Sequence, residues 1–293
     1  MSGPALPLPL PESGLLLRLA APLQSWGEHS HFTDRDTAAF PTRSGVIGLL
    51  AAALGRRRGE SIADLARLSL TVRADRPGVR LRDLHTVGGG LPAKATVTTA
   101  EGKKRSGETA TLLSHRHYLA DAAFTIALTT PRIPDTTEAE HADAHDLLAR
   151  CESALRFPQW PLYLGRRSCP PEGPLLLART DDALHHLVRL PLAASTPAPS
   201  GIEFISDRPL HTLPVPDNLV TADARDGVHP SGQATDEPLT FHTTRRAYRA
   251  RPLYRRSVHL PAEQYAGLGT KHLDALTTYL TRHLPETEEG HRP

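Results

Sequence analysis

Hydrophobic and polar positions alternate between long apolar runs and extended polar stretches. Residues 15–20 (LLLRLA) are apolar almost without interruption, as in a strand buried on both faces. A loop follows over residues 21–43. Ser44 then stands where a helix can be capped, with Val46, Ile47, Leu50 and Leu54 on one face and Gly55 at the C-terminal end. Gly45 and Gly48 lower helix propensity, so a helix that keeps them packs closely on something such as a sheet. The pattern further predicts a short helix over 61–68, strands over 70–74 and 79–87, a strand over 118–128, an amphipathic helix over 136–155 and a strand within 170–178. Residues 191–201 read as a linker or insertion, 220–238 as loop, 248–260 as a strand and 262–284 as a closing helix.

Two stretches stand apart. Residues 1–14 are Pro-rich and read as a disordered lead-in. Residues 88–114 are rich in Gly, Thr and Lys and nearly free of large apolar side chains, so they cannot bury a core. They form an excursion, either a mobile loop or a long hairpin. The order strand, helix, strand, strand, helix, strand over 15–180 fits a ferredoxin-like module. The expected organisation is therefore a lead-in at 1–14, an α+β domain at 15–180 with an arm at 88–114, a smaller β-rich part at 181–260, and a helix and tail at 261–293.

Composition narrows the classes. Of 293 residues, 39% are apolar and 23% charged, which excludes a fully disordered chain and a polytopic membrane protein. The longest mostly apolar run, residues 46–54, is far short of the roughly 20 residues that cross a bilayer. The N-terminus lacks a basic segment ahead of an apolar core and is not a secretory signal. Cys151 and Cys169 support neither a disulfide framework nor a cysteine zinc site, and a reducing cytosol is the expected compartment.

Net charge is only +2, but it is segregated. Asp135, Glu138, Glu140, Asp143 and Asp146 form an acidic stretch. Arg245, Arg246, Arg249, Arg251, Arg255 and Arg256 form a basic one without a carboxylate. Lysines are confined to Lys94, Lys103, Lys104 and Lys271, so 30 of the 34 basic residues are arginine, the side chain suited to bidentate phosphate contact and base stacking.

Three segments could carry chemistry. Loop 21–44 holds Gln24, Trp26, Arg35 and Arg43 and closes on Thr42-Arg43-Ser44 at a helix start, where free N–H groups, hydroxyls and a guanidinium suit a phosphate. A helix cap with Trp26 in the core fits the same residues. In LRDLHTV (81–87), Arg82 and Thr86 share one strand face, with Asp83 and His85 on the other. In YLGRRSCP (163–170), Gly165 permits a sharp turn that projects Arg166, Arg167 and Ser168. An Arg–Asp surface pair and an exposed basic turn are the plainer alternatives. His141 and His145 lie at i, i+4, but HExxH lacks its glutamate and no metal site is expected. His85, His115 or His117 could by type serve as a general base near neutral pH. Nothing in the sequence calls for a cofactor.

Taken together, residues 17–27 (LRLAAPLQSWG), 40–50 (FPTRSGVIGLL), 81–87 and 163–170, with Asp236-Glu237-Pro238 ahead of the last strand, resemble the Cas-five family of the RAMP superfamily, in its type I-E CRISPR (Cascade) branch. The resemblance runs from about residue 15 to about 260. It implies an RRM-like, ferredoxin-like domain, a thumb-like arm at 88–114 and a smaller β-rich C-terminal part. It implies a non-catalytic subunit that grips the 5′ handle of the crRNA and abuts the backbone and large subunits, meeting target DNA only through the complex, in antiviral defence. Contacts with the handle are then expected from Gln24, Trp26, Arg35, Thr42, Arg43 and Ser44 in the first loop, and from Arg166, Arg167 and Ser168 in the turn. Arg82, His85 and Thr86 fall at the thumb base, with Lys94, Lys103, Lys104, Arg105 and Arg116 on or beside the arm. The type I-C branch cleaves precursor RNA with a tyrosine, a lysine and a histidine. Here His115-Arg116-His117 carries Arg where Lys would stand, so a metal-independent endoribonuclease is the alternative reading.

Overall fold

A computed structural model describes residues 10–284, apart from residues 29, 32, 89–91, 97, 99–101, 105–110, 132–136, 217–218 and 220–226. Arg105 and residues 1–9 of the lead-in lie outside the described residues. The strands are β1 (Gly14–Gln24), β2 (Ser30–His31), β3 (Asp34–Arg35), β4 (Ser69–Arg76), β5 (Val79–Val87), β6 (Leu112–Thr129), β7 (Leu176–Thr180), β8 (Ile202–Ser206), β9 (Gly232–Thr240) and β10 (Ala247–Val258). The helices are α1 (Arg43–Ala53), α2 (Glu138–Arg156), α3 (Ala183–Arg189) and α4 (Thr270–His283).

The long strand β6 organises the sheet. Its C-terminal half pairs antiparallel with β1 on one side and β4 on the other. β7 adds to the outer edge of β1. Beyond β4 the sheet continues through β8 and β10 to β9, again antiparallel. The strands of the smaller β-rich part at 181–260 thus extend the same sheet.

Both faces of the sheet are covered, which explains the uninterrupted apolar run of β1. Successive side chains point to opposite faces. Leu15, Leu17 and Leu19 join Val46, Ile47 and Leu50 of α1 and Leu147, Leu148 and Cys151 of α2 in one core. Leu16 faces the other way and joins Leu187 of α3, Phe204 of β8, Val258 of β10 and Leu276 of α4 in a second. Helix α2 starts on a capping box: the Gly-free cap Thr137 accepts from the Glu140 N–H, while Glu140 accepts from the Thr137 N–H. Those bonds hold the Glu140 carboxyl below the ordinary glutamate range.

Three expectations are corrected. Residues 61–68 form only a single 3₁₀ turn at Leu65–Arg67, because the segment is too short to nucleate a helix and serves to bury Ile62, Leu65 and Leu68. Part of the expected loop at 220–238 is strand β9. Its pattern was concealed because two of its buried positions, Asp236 and Glu237, are acids matched with arginines. Residues 191–201 are tied down at their start, where Leu192 exchanges backbone hydrogen bonds with Gln264 and Ala266.

The excursion is carried on a hairpin stem. The N-terminal half of β6 leaves the central sheet and pairs with β5 from Val79↔Ala120 to Val87↔Leu112. At the junction Gly78 has φ +74, where a Cβ would lie 2.6 Å from the Ala120 carbonyl oxygen, and Asp121 has φ +57. Arg76 clamps the bend by donating to the Asp121 carbonyl and carboxylate. Among the described residues of the tip, Thr98 bridges to Lys104, whose Nζ donates to the Thr96 carbonyl. No described helix is long and apolar enough to cross a membrane.

Helix α4 docks through histidines. His272 is buried, and the His186 Nδ1 lies 3.0 Å from the Tyr279 hydroxyl. Burial, reinforced by His185, pushes His186 down to about 4; burial also lowers His272 and His185. A histidine kept neutral in the fold but titrating near 6.5 when unfolded binds its proton first in the unfolded chain. Stability is therefore complete above pH 6.5 and falls as pH drops from 6.5 toward 4. Urea unfolding across that window should show this loss. In His186→Gln the slope should flatten by up to about 1.4 kcal/mol per pH unit, one proton's worth.

Candidate functional site

Helix α1 begins where the first loop ends, and its N-terminus is fixed from several sides. Thr42, not Ser44, is the N-cap: its hydroxyl accepts from the Gly45 N–H at 3.3 Å. The Arg43 N–H donates to Asp236 at 2.7 Å. The buried Arg43 guanidinium pairs with Asp207 at 2.6 Å and Glu237 at 2.5 Å, and donates to the Ala66 carbonyl at 2.7 Å. Asp236 also receives Arg251 of β10 through two hydrogen bonds. These contacts lock the start of α1 to the end of β8 and to the β9–β10 hairpin.

The turn at 163–170 closes against the loop after β1. Gly165 has φ +100, and a Cβ there would lie 1.8 Å from the Ser25 carbonyl oxygen, so only glycine fits. Arg166 folds back over the Tyr118 ring and donates to the carbonyls of His117, Arg35 and Asp36. It acts as a rivet between β3, β6 and the turn.

A cleft of about 1030 Å³ opens between these parts. Its floor is the small-residue face of α1, including Ser44, Gly45, Gly48 and Ala52. Arg35, Arg116, Arg166 and Arg167 line it, as do Arg56, Arg57, Arg58 and Arg246, with Trp160 and Tyr248. Eight arginines thus face two acids, Glu28 and Asp36. Arg56 is held by Asp64 through two 2.5 Å hydrogen bonds, which raise the arginine and lower the aspartate. In contrast, Arg57, Arg58, Arg116, Arg167 and Arg246 make no side-chain hydrogen bond or ion pair with another described residue. Positive charge without internal partners in one cleft suits a polyanion. The two thiols offer no nucleophile: burial raises Cys169, and Cys151 to about 11. Among the described residues no group of three or more His, Cys, Asp or Glu side chains could hold a metal ion.

The model of the family described as CRISPR-associated protein (Cas_Cas5) matches residues 14–254. The chain belongs to the CRISPR-associated Cas5 family. Over 177 residues it is 37% identical to the CRISPR system Cascade subunit CasD of Escherichia coli (strain K12), covering 56% of this chain and 70% of that one. In three dimensions it is similar to a chain of a solved CRISPR RNA-guided surveillance complex. There the TM-score is 0.71 and the identity 39%, over 92% of this chain and 99% of the other. A crystal structure of a Cas protein superposes with TM-score 0.53 and 30% identity, over 87% of this chain and 98% of that one.

For a Cas5-family chain with this cleft, several sequence expectations need correction. Gln24 is fully buried; its amide donates to the Leu19 and Ala122 carbonyls and accepts from the Trp26 indole. Trp26 is 1% exposed, and its ring sits where a Cβ on Gly45 would intrude at 2.8 Å. Both build the core and are closed to a ligand. Thr42 and Arg43 are buried and spent on the helix start, while Arg166 lines the cleft and gives three hydrogen bonds to carbonyls. Ser44, Arg35, Arg116 and Arg167 line the cleft, while Ser168 is exposed beside it with its hydroxyl 3.4 Å from that of Tyr118. Arg82, His85 and Thr86 lie on β5, with His85 3.5 Å from Asp83, and none lines the cleft. Lys94 and Lys103 are exposed on the arm.

Sequence reasoning missed Arg57, Arg58 and Trp160. The run Arg56-Arg57-Arg58 just beyond the helix end was the available signal, whereas nothing local marks Trp160 as a surface residue. Of the 245–256 stretch, Arg246 reaches the cleft, while Arg251, Arg255 and Arg256 bond to Asp236, Glu203 and the Leu210 carbonyl.

Removing the Arg43 side chain would leave Asp207 and Glu237 buried without their cation. Arg43→Ala should lower unfolding free energy by about 3–5 kcal/mol, measured by urea denaturation. By contrast, Arg167→Ala, at the exposed rim, should change it by less than about 0.5 kcal/mol.

Proposed function

We propose that this chain is a non-catalytic subunit of a cytoplasmic type I-E CRISPR Cascade complex that binds the 5′ handle of the crRNA in the arginine cleft. The observation that carries the reading is the set of five arginines without internal partners facing one cleft over a small-residue helix face. Single-stranded RNA is held by phosphate contacts that position it and by splayed bases that are stacked or read. A fixed, repeat-derived handle needs that combination. The similarity to the Cascade subunit CasD and to a chain of an RNA-guided surveillance complex favours this partner over other polyanions. The strand order β7-β1-β6-β4, with α1 and α2 as crossovers on one face, supports the ferredoxin-like, RRM-like reading of the RAMP domain. The β5–β6 stem supports reading 88–114 as a thumb that reaches over the guide. Backbone and large subunits are its neighbours, and target DNA is met through the complex.

Purified protein or complex should bind a labelled handle RNA above a scrambled control at moderate salt. Arg116→Ala and Arg167→Ala should each weaken binding and lower the slope of log K against log salt by about 0.7. Wild-type slopes in both variants would refute the placement of the handle.

One observation favours the ribonuclease reading. His117 Nε2 lies 3.2 Å from an Asp34 carboxylate oxygen, an arrangement that orients and strengthens a base. Neither His117 nor Asp34 is part of the cleft lining. Incubation with repeat RNA in EDTA should therefore yield no specific product. Cleavage that disappears in His117→Ala would overturn the non-catalytic reading.

A further inference from the structure

Two half-exposed aromatic rings line the cleft together with arginines. Trp160, 39% exposed, lies by the C-terminal end of α1, which runs on into Arg57 and Arg58, and Tyr248, 40% exposed, lies at the start of β10, two residues after Arg246. The backbone that carries each ring is held. The residue before Trp160 is pinned to the end of α1: the Gln159 N–H donates to the Ala53 carbonyl at 2.9 Å. The Gln159 side chain also packs so closely on Gly55, at φ +74, that a Cβ there would come within 2.7 Å. Tyr248 is fixed by the pairing of β10 with Pro238 of β9. Arg57 and Arg58 follow Arg56, which Asp64 and the Ser61 carbonyl clamp.

Neither ring carries a stacked cation. Guanidinium groups stack on Tyr118 and Phe40 elsewhere in the molecule. Although three arginines share the cleft with Trp160 and Tyr248, no described guanidinium lies over either ring. A half-exposed indole in a cleft with cations that bond to no other described residue matches one kind of group: an unstacked nucleotide, which presents a π-face and a phosphate together. An apolar peptide would leave the arginines unmatched.

We propose that the part of the cleft lined by Trp160 is a base-stacking subsite. A splayed base of the bound single-stranded RNA lies on Trp160, Tyr248 offers a second platform in the same cleft, and Arg57, Arg58 and Arg246 hold flanking phosphates. The inference rests on the RNA-binding reading above and adds where bases, as opposed to backbone, are gripped. Stacking is tolerant of sequence because every base has a π-face, so the subsite secures the strand without reading it.

The chain has two tryptophans, and Trp26 is sealed in the core, so a change of indole emission on ligand binding reports on Trp160. Titration of the full-length protein with a single-stranded RNA copying the repeat-derived 5′ end of the guide should quench indole emission. Trp160→Phe should keep binding close to wild type and abolish the quenching. Trp160→Ala should bind at least about fivefold more weakly with an unchanged salt slope, whereas Arg58→Ala should lower that slope by about 0.7. Tyr248→Ala should weaken binding independently. Wild-type affinity in Trp160→Ala, or quenching that persists in Trp160→Phe, overturns the subsite while leaving the handle reading intact. Failure of the wild-type protein to bind the RNA at all overturns both.

Discussion

The buried guanidinium of Arg43 is the contact on which the rest of the architecture turns. It sits at the first residue of α1 and gathers Asp207, Glu237 and the Ala66 carbonyl, while its own N–H takes Asp236. Carboxylates at those positions would be costly to bury without a cation. Their presence makes the start of α1, the end of β8 and the β9–β10 hairpin a single unit. The α1 floor of the cleft and the hairpin that brings Tyr248 to it are consequently tied together, and the charge that builds the site is consumed in building it.

This separates two populations of arginine. Arg43, Arg73, Arg166 and Arg251 are satisfied internally; Arg73, fully buried, serves Asp75 and three backbone carbonyls. Arg57, Arg58, Arg116, Arg167 and Arg246 have no such partners and face the cleft. Arginine suits both tasks because its planar fork can satisfy several acceptors at once or present donors to a phosphate. A near-neutral chain thereby carries a strongly basic cleft.

The sheet imposes the second constraint. β6 serves two structures in succession, a ribbon with β5 and then the central sheet with β1 and β4. The change of partner requires a bend, and Gly78, Asp121 and the Arg76 clamp supply it. The arm is therefore set by the strand that holds the core. Across the sheet, helices α3 and α4 cover a face that the first two helices leave open.

Local pattern was enough for β1, α1, β4, β5, α2, β10 and α4, because apolar periodicity and capping residues act over a few neighbours. The motifs at 17–27, 40–50, 81–87 and 163–170 likewise made the family legible. What local pattern cannot show is which polar group meets which. Thr42-Arg43-Ser44 reads equally well as an anion site or as a helix start, and acids nearly two hundred residues away decide for the latter at Arg43. Strand β9 was hidden because its buried acids look like loop residues until Arg43 and Arg251 are set against them. Trp26 and Trp160 are alike in sequence terms; packing against Gly45 buries the first, and pinning of Gln159 at the helix end leaves the second in solvent. The sequence alone determined most of the elements and the abundance of arginine. Only the tertiary structure decided which arginines and aromatics remain unspent, since burial and pairing depend on distant segments brought into contact.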